Sequence, residues 1–449
     1  MKDIYLFNSL TNKKEKLIPL IDGNISMYVC GPTVYDEPHI GNLRPPIVFD
    51  VYYRLFSYLG YKVTYVSNYT DVDDKIINRA KELGVHPLNL SKKYIEVFQN
   101  IREKLHVITP TYTPKVSEHI EDIIDYISKL IDKGFAYEVD GDVYFDVSKI
   151  DDYLCLSKMR RDDLISGARI EINDKKRSPL DFALWKKTDE DFNWLSPWSK
   201  GRPGWHTECV VFIDKIFASQ DGFIDIHGGG FDLKFPHHDN EIAQALAMHG
   251  HHLAKYWLHN GFITFGEAEK MSKSLGNVIT ISACLDKYDA NVIRTFILSS
   301  SYRAPIAYND MNLNNAINTF ERIKNTYRSL RLRLAFLDID YHYVPSFDID
   351  EFITALCDDL NTPNAFKAMF DLIKEINTYL HRGLDEVDKL KLYLSKFDTM
   401  MNLFGYKVDI PLISKDEKLL YNKYIEAKKN KDFATSDALR SLLVAKGLY

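Results

Sequence analysis

The sequence lacks several features that would assign it to a membrane, a secretory route or a disordered class. No window approaches the roughly 18 consecutive apolar residues of a membrane-spanning helix. The N-terminal residues lack the apolar core and small-residue cleavage site of a secretion signal. Low-complexity tracts and internal repeats are also absent. We therefore expect a cytoplasmic, globular protein without a membrane partner.

Cysteine is scarce, and neither sign of charge dominates. The five cysteines are odd in number and widely scattered: Cys30, Cys155, Cys209, Cys284 and Cys357. In a reducing compartment, such residues are more typical of packed thiols or metal ligands than of a disulfide framework. The formal net charge of −6 argues against indiscriminate polyanion binding, although clustered Lys and Arg could still bind phosphate locally.

At 449 residues the chain is too long for one core and should form two or three units. Residues 25–30 resemble a buried strand. A helix follows, with Pro45 and Pro46 in its first turn, and residues 62–68 supply a second strand. This order predicts two parallel strands joined by a right-handed crossover.

The later segments differ in character. We predict an insertion at 116–200, with a β-hairpin turning at Asp140 and Gly141, after which the parallel-sheet pattern resumes and continues to about 262. From about 311, apolar residues at helical spacing predict a helical bundle. The first long helix has this pattern at Ala316, Phe320, Ile323, Tyr327, Leu330 and Leu334.

Two short motifs are suited to binding phosphate. His39-Ile40-Gly41-Asn42 lies between the first strand and its helix, where free backbone N–H groups, a His donor and a closely approachable Gly would meet an anion. Lys270-Met271-Ser272-Lys273-Ser274 could neutralise a triphosphate as its charge separates. The alternatives are a turn with a solvent-facing His and a solvated basic loop.

A third set of residues could bind a metal ion. Pro236 can begin a helix that places His237 and Glu241 four residues apart on one face. Cys30 and Cys209, each at the end of a predicted strand, would complete a set of ligands that zinc accepts. The alternative is that these are buried polar residues with protein partners.

Together these residues resemble the cysteinyl-tRNA synthetases, a family of class I aminoacyl-tRNA synthetases, over essentially the whole chain. The matching strings are MYVCGPTVYD at 27–36, HIGN at 39–42, TDVDDK at 70–75, GRPGWHTEC at 201–209, HGGGFDLKFPHHDNEIAQ at 227–244, KMSKS at 270–274 and SDALR at 436–440. CGPTVYD and FPHHDNE are highly specific for this family.

The resemblance implies an α/β, Rossmann-type parallel-sheet catalytic domain with an inserted connective subdomain, followed by an α-helical bundle that binds the anticodon. The implied limits are 1–115 and 201–265 for the catalytic domain, 116–200 for the insertion, 266–310 for the KMSKS and stem-contact region, and 311–449 for the bundle. The implied partners are L-cysteine, ATP with Mg2+, and tRNA(Cys), with one Zn2+ per chain, and we expect a monomer.

The resemblance also implies a role for each site residue. Cys30, Cys209, His237 and Glu241 would bind zinc, and Gly31, Thr33, Thr70, Trp205 and His227 would line the cysteine pocket. ATP would contact His39, Gly41, Asn42, Gly229, Asp232 and Lys273. His39, Asn42, Lys270 and Lys273 would be catalytic, with Lys273 stabilising the departing pyrophosphate.

Two features depart from the family pattern. Its first signature usually ends in His, where this chain has Asn42, whose amide can donate to phosphate but cannot carry a proton or a charge. We expect activity to survive. The family also commonly continues into a short β-rich tail, whereas this sequence stops at Tyr449. Either such a tail is absent, or anticodon recognition relies more on the helices.

Zinc would allow the site to select cysteine over serine, two amino acids that an apolar pocket distinguishes poorly. A thiol loses its proton on zinc and binds far better than a hydroxyl, so we expect no editing domain. Four protein ligands normally close a zinc site, so the substrate sulfur must be an additional ligand or one protein bond must lengthen.

Recognition of tRNA should fall to basic helix faces in the bundle. These are Arg322, Lys324, Arg328, Arg331 and Arg333 on the first helix and Lys423, Lys428, Lys429 and Lys431 near the C-terminus. Three alternatives remain: a cysteine ligase that acylates a small amine on the same fold, a non-catalytic tRNA-binding paralogue, and a zinc hydrolase.

Overall fold

The computed structural model describes residues 2–166, 174–265, 269–270, 279–410 and 413–448, with only the backbone of 165, 166, 265, 269 and 270. The chain forms two compact units. The first contains Met1–Tyr288, Tyr302–Tyr308 and Cys357–Leu360, and the second contains Asp289–Ser301, Asn309–Leu356 and Asn361–Tyr449.

The described residues form fourteen strands and fifteen α-helices. The strands are β1 (Tyr5–Asn8), β2 (Lys13–Lys16), β3 (Asn24–Val29), β4 (Lys62–Val66), β5 (Ala136–Val139), β6 (Asp142–Phe145), β7 (Phe182–Lys187), β8 (Trp194–Leu195), β9 (Lys200–Pro203), β10 (Ile224–Gly230), β11 (Ala254–Asn260), β12 (Ile263–Phe265), β13 (Glu269–Lys270) and β14 (Ile306–Tyr308). The helices are α1 (Arg44–Tyr58), α2 (Asp74–Leu83), α3 (Pro87–Lys104), α4 (Ile120–Asp132), α5 (Arg161–Ser166), α6 (Glu208–Ile216), α7 (Asp239–His249), α8 (Ile281–Lys287), α9 (Ala290–Leu298), α10 (Asp310–Phe336), α11 (Asp350–Cys357), α12 (Thr362–His381), α13 (Val387–Phe404), α14 (Lys415–Lys429) and α15 (Phe433–Ala445).

A four-stranded parallel sheet of order β11-β10-β3-β4 is at the centre of the first unit. The two central strands, β3 and β10, are almost entirely buried, as expected for a parallel sheet covered on both faces. The predicted β3–α1–β4 crossover with parallel pairing is confirmed. Pro45 and Pro46 lie in the first turn of α1, where their missing N–H groups cost no helical hydrogen bond.

An antiparallel sheet of order β5-β6-β7-β9-β8 lies largely in the segment where we predict an insertion, and its strand β9 extends three residues beyond position 200. The predicted hairpin is confirmed: Asp140 and Gly141 join β5 to β6, with φ angles of +53° and +90°. Two positive φ angles define the turn that best matches strand twist. The domain limits given above stay a proposal.

The second unit is helical in the part of the chain that is described, which confirms the predicted bundle. In α10, the predicted apolar positions are buried except Tyr327, whose hydroxyl donates to Asp398 Oδ1 at 2.7 Å. None of the described helices combines the length and apolar character needed to cross a bilayer.

Candidate functional site

A cleft of about 410 Å³ opens beyond the carboxyl ends of β3 and β10. Its size is in the range of small-molecule sites, and this edge of an open parallel sheet is where ligands usually bind. Eight residues predicted from the sequence line the cleft: Cys30, Gly31, Thr33, His39, Gly41, Asn42, Trp205 and Asp232. Three others, Thr70, His227 and Gly229, are not among its lining residues and lie buried.

The HIGN motif forms a separate 3-10 turn, Ile40–Leu43, before α1. The Gly41 N–H donates to His39 Nδ1 at 3.1 Å, and the His39 N–H donates to Asn42 Oδ1 at 3.0 Å. The Ile40 and Asn42 N–H groups donate to Ile279 O and His39 O. The prediction of free backbone N–H groups here is therefore wrong, because three of the four donate within the turn and the Ile40 N–H donates to Ile279 O.

This turn determines which side-chain atoms can contact a phosphate. Because His39 Nδ1 accepts a hydrogen bond, the neutral ring carries its proton on Nε2. A Cβ at Gly41 would lie 2.8 Å from the His39 ring, so Gly41 is needed for the ring to cap the turn. With its Oδ1 accepting from His39, Asn42 has its amide NH2 left to donate.

The four predicted metal ligands converge although they come from distant segments. Cys30 follows β3, His237 precedes α7 and Glu241 lies in the first turn of α7. Cys209 lies in the first turn of α6, so our placement of it at a strand end is wrong. One ligand atom from each of the four lies within 4.8 Å of the others.

The distances between these atoms fit a tetrahedral ion. Cys30 Sγ and Cys209 Sγ are 3.8 Å apart, and Cys209 Sγ is 3.6 Å from His237 Nε2. Bonds of about 2.3 Å to sulfur and about 2.0 Å to nitrogen would separate tetrahedral ligands by roughly 3.3–3.8 Å. His237 Nε2 and Glu241 Oε1 are closer, at 3.0 Å, as expected for two neighbours one turn apart on a helix.

Two further histidines adjoin the same atoms. His227 Nε2 lies 2.8 Å from Glu241 Oε2, and His238 Nε2 lies 3.2 Å from Cys30 Sγ. Cys30, His227, His238 and Glu241 therefore form a second, overlapping group that could hold an ion. His238 is tied on its other side to His259, with 2.9 Å between His238 Nδ1 and His259 Nε2.

The chemistry of the first group suits a soft or borderline cation. Two sulfurs, an imidazole and a carboxylate are ligand types that zinc combines. Burial raises the pKa of the Cys30 thiol to about 11 and also raises that of Cys209. A metal ion would therefore displace a proton from each thiol on binding.

Two residues near the four candidate metal ligands were not predicted from the sequence. His206 Nδ1 lies 3.1 Å from His237 Nδ1, and Glu208 Oε2 accepts from the Thr70 hydroxyl at 2.6 Å. Both lie within the string GWHTEC, so their proximity to Cys209 was the available signal. Trp205 of the same string, which the sequence does predict, stacks on His237 with ring centroids 4.3 Å apart.

Glycines and the KMSKS lysines complete the predicted site. Gly31 donates its N–H to Asn68 Oδ1, and a Cβ at Gly31 would lie 1.6 Å from Asn68 O. Gly229 is buried in β10, where a Cβ would lie 2.7 Å from Leu233 Cδ1. Lys270 ends β13, of which only the backbone is described, and Lys273 lies outside the described residues.

The basic residues of α10 are mostly engaged within the helical unit. The Arg333 guanidinium pairs with Asp385, and Lys324 Nζ lies 2.6 Å from Glu321 Oε1. Arg328 donates to Gly447 O, and the guanidinium of Arg322 lies over the Phe370 ring. Most of these cations therefore already contact acceptors or rings within the helical unit, which the charge pattern alone did not reveal.

Comparison with known proteins identifies the class. Residues 16–318 match the family model of the class I (C) tRNA synthetase catalytic domain, and residues 351–406 match the DALR domain. Methionyl-tRNA synthetase of Mycobacterium tuberculosis in complex with methionyl-adenylate superposes with a TM-score of 0.59 at 16% identity, covering 85% of this chain and 89% of that chain. A putative arginyl tRNA synthetase from Campylobacter jejuni gives 0.53 at 15% identity, covering 86% and 93%. The fold and the catalytic-domain match define a class I aminoacyl-tRNA synthetase.

The closer relatives identify the family. The cysteine–tRNA ligase of Geobacter metallireducens is 44% identical over 99% of this chain and 96% of its own length. The cysteine–tRNA ligase of Halalkalibacterium halodurans is 45% identical over 99% and 96%. The chain belongs to the cysteine–tRNA ligase family, which confirms the resemblance found in the sequence.

Proposed function

We propose that this protein activates L-cysteine with ATP, forming cysteinyl-AMP and pyrophosphate, and transfers the cysteinyl group to the 3′ end of tRNA(Cys). The observation that carries the proposal is the convergence of two thiols, an imidazole and a carboxylate beside a cleft bordered by the HIGN turn. The DALR domain and the relatives favour tRNA over the alternative of a small amine acceptor.

Cys30, Cys209, His237 and Glu241 are the residues that would hold zinc, and the tetrahedral fit of their ligand atoms supports this choice over the overlapping group. Bound there, zinc would supply a soft Lewis acid that prefers the thiolate of cysteine to the hydroxyl of serine. His227 Nε2 lies 2.8 Å from Glu241 Oε2 and His206 Nδ1 lies 3.1 Å from His237 Nδ1, so both histidines would orient candidate ligands.

The walls of the cleft would bind the rest of the amino acid. Gly31, Thr33 and Trp205 line it and would contact cysteine directly. Thr70 and His227 lie buried behind this wall, where their contacts with Glu208 and Glu241 position the residues in front of them. Gly229 and Asp232 would lie near the adenylate.

His39 and Asn42 would contact the phosphates of Mg2+-bound ATP with side-chain donors rather than with the backbone. His39 would donate through Nε2–H and Asn42 through its amide NH2. Lys270 and Lys273 would neutralise the departing pyrophosphate. Catalysis by such groups consists of positioning and charge stabilisation.

The helical unit would bind tRNA. We propose that the chain acts as a monomer in the cytoplasm, where ATP and tRNA meet. The domain limits 1–115 with 201–265, 116–200, 266–310 and 311–449 belong to the same proposal.

The experiment is cysteine-dependent ATP–pyrophosphate exchange by the Cys209→Ser variant. We expect exchange to be abolished and the zinc content of the purified protein to fall, because a hydroxyl is a poor zinc ligand. Cys155→Ser is the matched control, since Cys155 is half-buried and outside the metal group. Unchanged exchange in Cys209→Ser would refute the zinc-dependent mechanism, and equal loss in both variants would show a general effect on folding.

A further inference from the structure

A separate cluster of potential metal ligands lies at the end of the central sheet opposite the cleft. Asp221, His249 and His251 each offer one ligand atom, and these atoms lie within 4.8 Å of one another. Asp221 precedes β10 and the two histidines precede β11, so the cluster lies at the amino ends of these strands. With seven residues per strand, roughly 20 Å separates it from the cleft.

The hydrogen bonds of the two histidines determine where their lone pairs lie. His251 Nδ1 is 2.8 Å from His252 O, and a carbonyl only accepts, so Nδ1 carries the proton. His249 Nε2 is 2.9 Å from Asp214 Oδ1, and this carboxylate contact favours a proton on Nε2. In the neutral rings, His249 Nδ1 and His251 Nε2 are therefore the unprotonated nitrogens.

Both unprotonated nitrogens face the same carboxylate. His249 Nδ1 lies 3.4 Å from Asp221 Oδ1, and His251 Nε2 lies 3.4 Å from Asp221 Oδ2. Charge-assisted N–H···O bonds are shorter, at about 2.7–2.9 Å. Two ligands of a tetrahedral zinc ion, each bonded at about 2.0–2.2 Å, lie roughly 3.3–3.5 Å apart. The spacing therefore leaves room for one ion that contacts all three side chains, although His251 Nε2 and Asp221 Oδ2 are also within hydrogen-bond distance.

The surroundings hold the cluster in this arrangement. Asp214 orients His249 from behind, as carboxylates commonly orient metal-binding histidines. Gly222 has a φ of +67°, and a Cβ there would lie 3.0 Å from Asp214 Oδ1 and 3.5 Å from His249 Nε2. A glycine is thus needed beside the pair. The side chain of His249 is 14% exposed and that of Asp221 is 76% exposed, so an ion could enter from solvent.

We propose that Asp221, His249 and His251 bind a divalent transition-metal ion of the zinc type, with water completing its coordination. Two imidazoles and a carboxylate suit zinc, copper or nickel better than magnesium or calcium. Asp214 and Cys209 lie on α6, and His249 and Glu241 lie on α7. An ion at this cluster would therefore join the segment before β10, through Asp221, to the C-terminal end of α7, whose first turn carries Glu241.

The test is a calorimetric titration of the full-length protein with Zn2+ after its tightly bound metal has been saturated. We expect the native protein to bind one further ion. His251→Gln and Asp221→Asn should lose this binding, and Asp214→Asn should weaken it by roughly 10–100-fold. His342→Gln is the control, because His342 is an exposed histidine beside one carboxylate, Asp340, at 3.3 Å.

The outcomes separate this site from the candidate active site. His251→Gln should keep cysteine-dependent pyrophosphate exchange, and Cys209→Ser should keep the further ion even if its exchange is lost. If the native protein binds no further ion, or if His251→Gln and His342→Gln bind it equally well, the proposal is wrong.

Discussion

Asn42 shows how one side chain can serve both the fold and the site. Its Oδ1 accepts from the His39 N–H and closes the HIGN turn, so its NH2 remains the group that could reach a phosphate. A histidine at this position would have to divide its two ring nitrogens between the same two tasks. The amide is therefore compatible with an intact cleft.

Substitutions of Asn42 should separate these tasks. Asn42→Ala removes the capping acceptor and should lower the free energy of unfolding by about 1 kcal/mol. Asn42→Asp keeps an acceptor but adds a negative charge beside the phosphates, so it should raise the KM for ATP at least roughly tenfold with little loss of stability. Urea unfolding and exchange kinetics measure both, and equal destabilisation by the two variants would contradict the capping role.

The wall of the cleft requires a residue without a side chain at position 31, which is Gly31. Because a Cβ would lie 1.6 Å from Asn68 O, Gly31→Ala must displace backbone on one side of the cleft. We expect a roughly 100-fold slower pyrophosphate exchange, the typical cost of misplacing reacting groups by about 1 Å. Gly23→Ala is the control: Gly23 has a φ of +71° and a Cβ there would meet no atom within 4 Å, so only stability should fall, by about 1 kcal/mol. Normal kinetics in Gly31→Ala would disprove this role.

Residue-scale prediction succeeded where contacts are local in sequence. His237 and Glu241 are neighbours because four residues make about one helical turn. No spacing pattern brings Cys30 to Cys209 across 179 positions; their expected positions at strand ends made them candidate ligands, and the family resemblance implied the full set. The contacts of Asn68, His206 and Glu208 were missed because side chains that meet across elements leave no periodic signal.

At the scale of single elements, α1 is anchored by a buried carboxylate. Asp50 is fully buried and accepts from Arg54 Nε at 3.0 Å on the same helix and from the Ile108 N–H at 2.8 Å. It therefore joins α1, which follows the HIGN turn, to the segment after α3.

Removing this charge should cost far more than removing an exposed one. Asp50→Asn weakens hydrogen bonds to a charged, buried acceptor and should lower the free energy of unfolding by about 2 kcal/mol. The matched control is Asp125→Asn, which breaks a helical pair with Lys129 whose side chains are 65% and 57% exposed. Its effect should stay below about 0.5 kcal/mol. Similar denaturant midpoints for the two variants would contradict the anchoring role.

Elements with a local signature were predictable. The β3–α1–β4 unit and the Asp140–Gly141 hairpin followed from apolar spacing and turn residues. The prediction that Cys209 lies at the end of a strand was wrong. The apolar run Val210–Ile213 has the composition of a buried strand, whereas tertiary packing makes it a buried helix. Short apolar runs do not distinguish these two outcomes.

At the scale of the whole molecule, the basic residues differ in whether they contact other protein groups. The arginines of α10 contact acceptors or rings within the helical unit. Lys428 and Lys429, at the end of α14, are exposed. Residues of this second type are the better candidates for phosphate contacts.

Neutralising these lysines should weaken tRNA binding without affecting amino-acid activation. For Lys428→Gln combined with Lys429→Gln, we expect the slope of log affinity against log salt to fall by about 1–2, one unit for each lost phosphate contact. Exposed Lys367 and Lys374 on α12 provide the control double substitution to Gln. If the two double variants show the same salt dependence, α14 is not a tRNA-binding surface.

The separation of Cys30 from Glu241 along the chain also has a consequence for biosynthesis. The two lie 211 positions apart, so a ribosome must add that many residues after Cys30 before the two side chains can meet. At about 5–20 residues per second, the Cys30 thiol waits on the order of 10–40 s for its last partner. During that interval the Cys30 thiol lacks its full set of partners, and translational pausing ahead of α7 would prolong that interval.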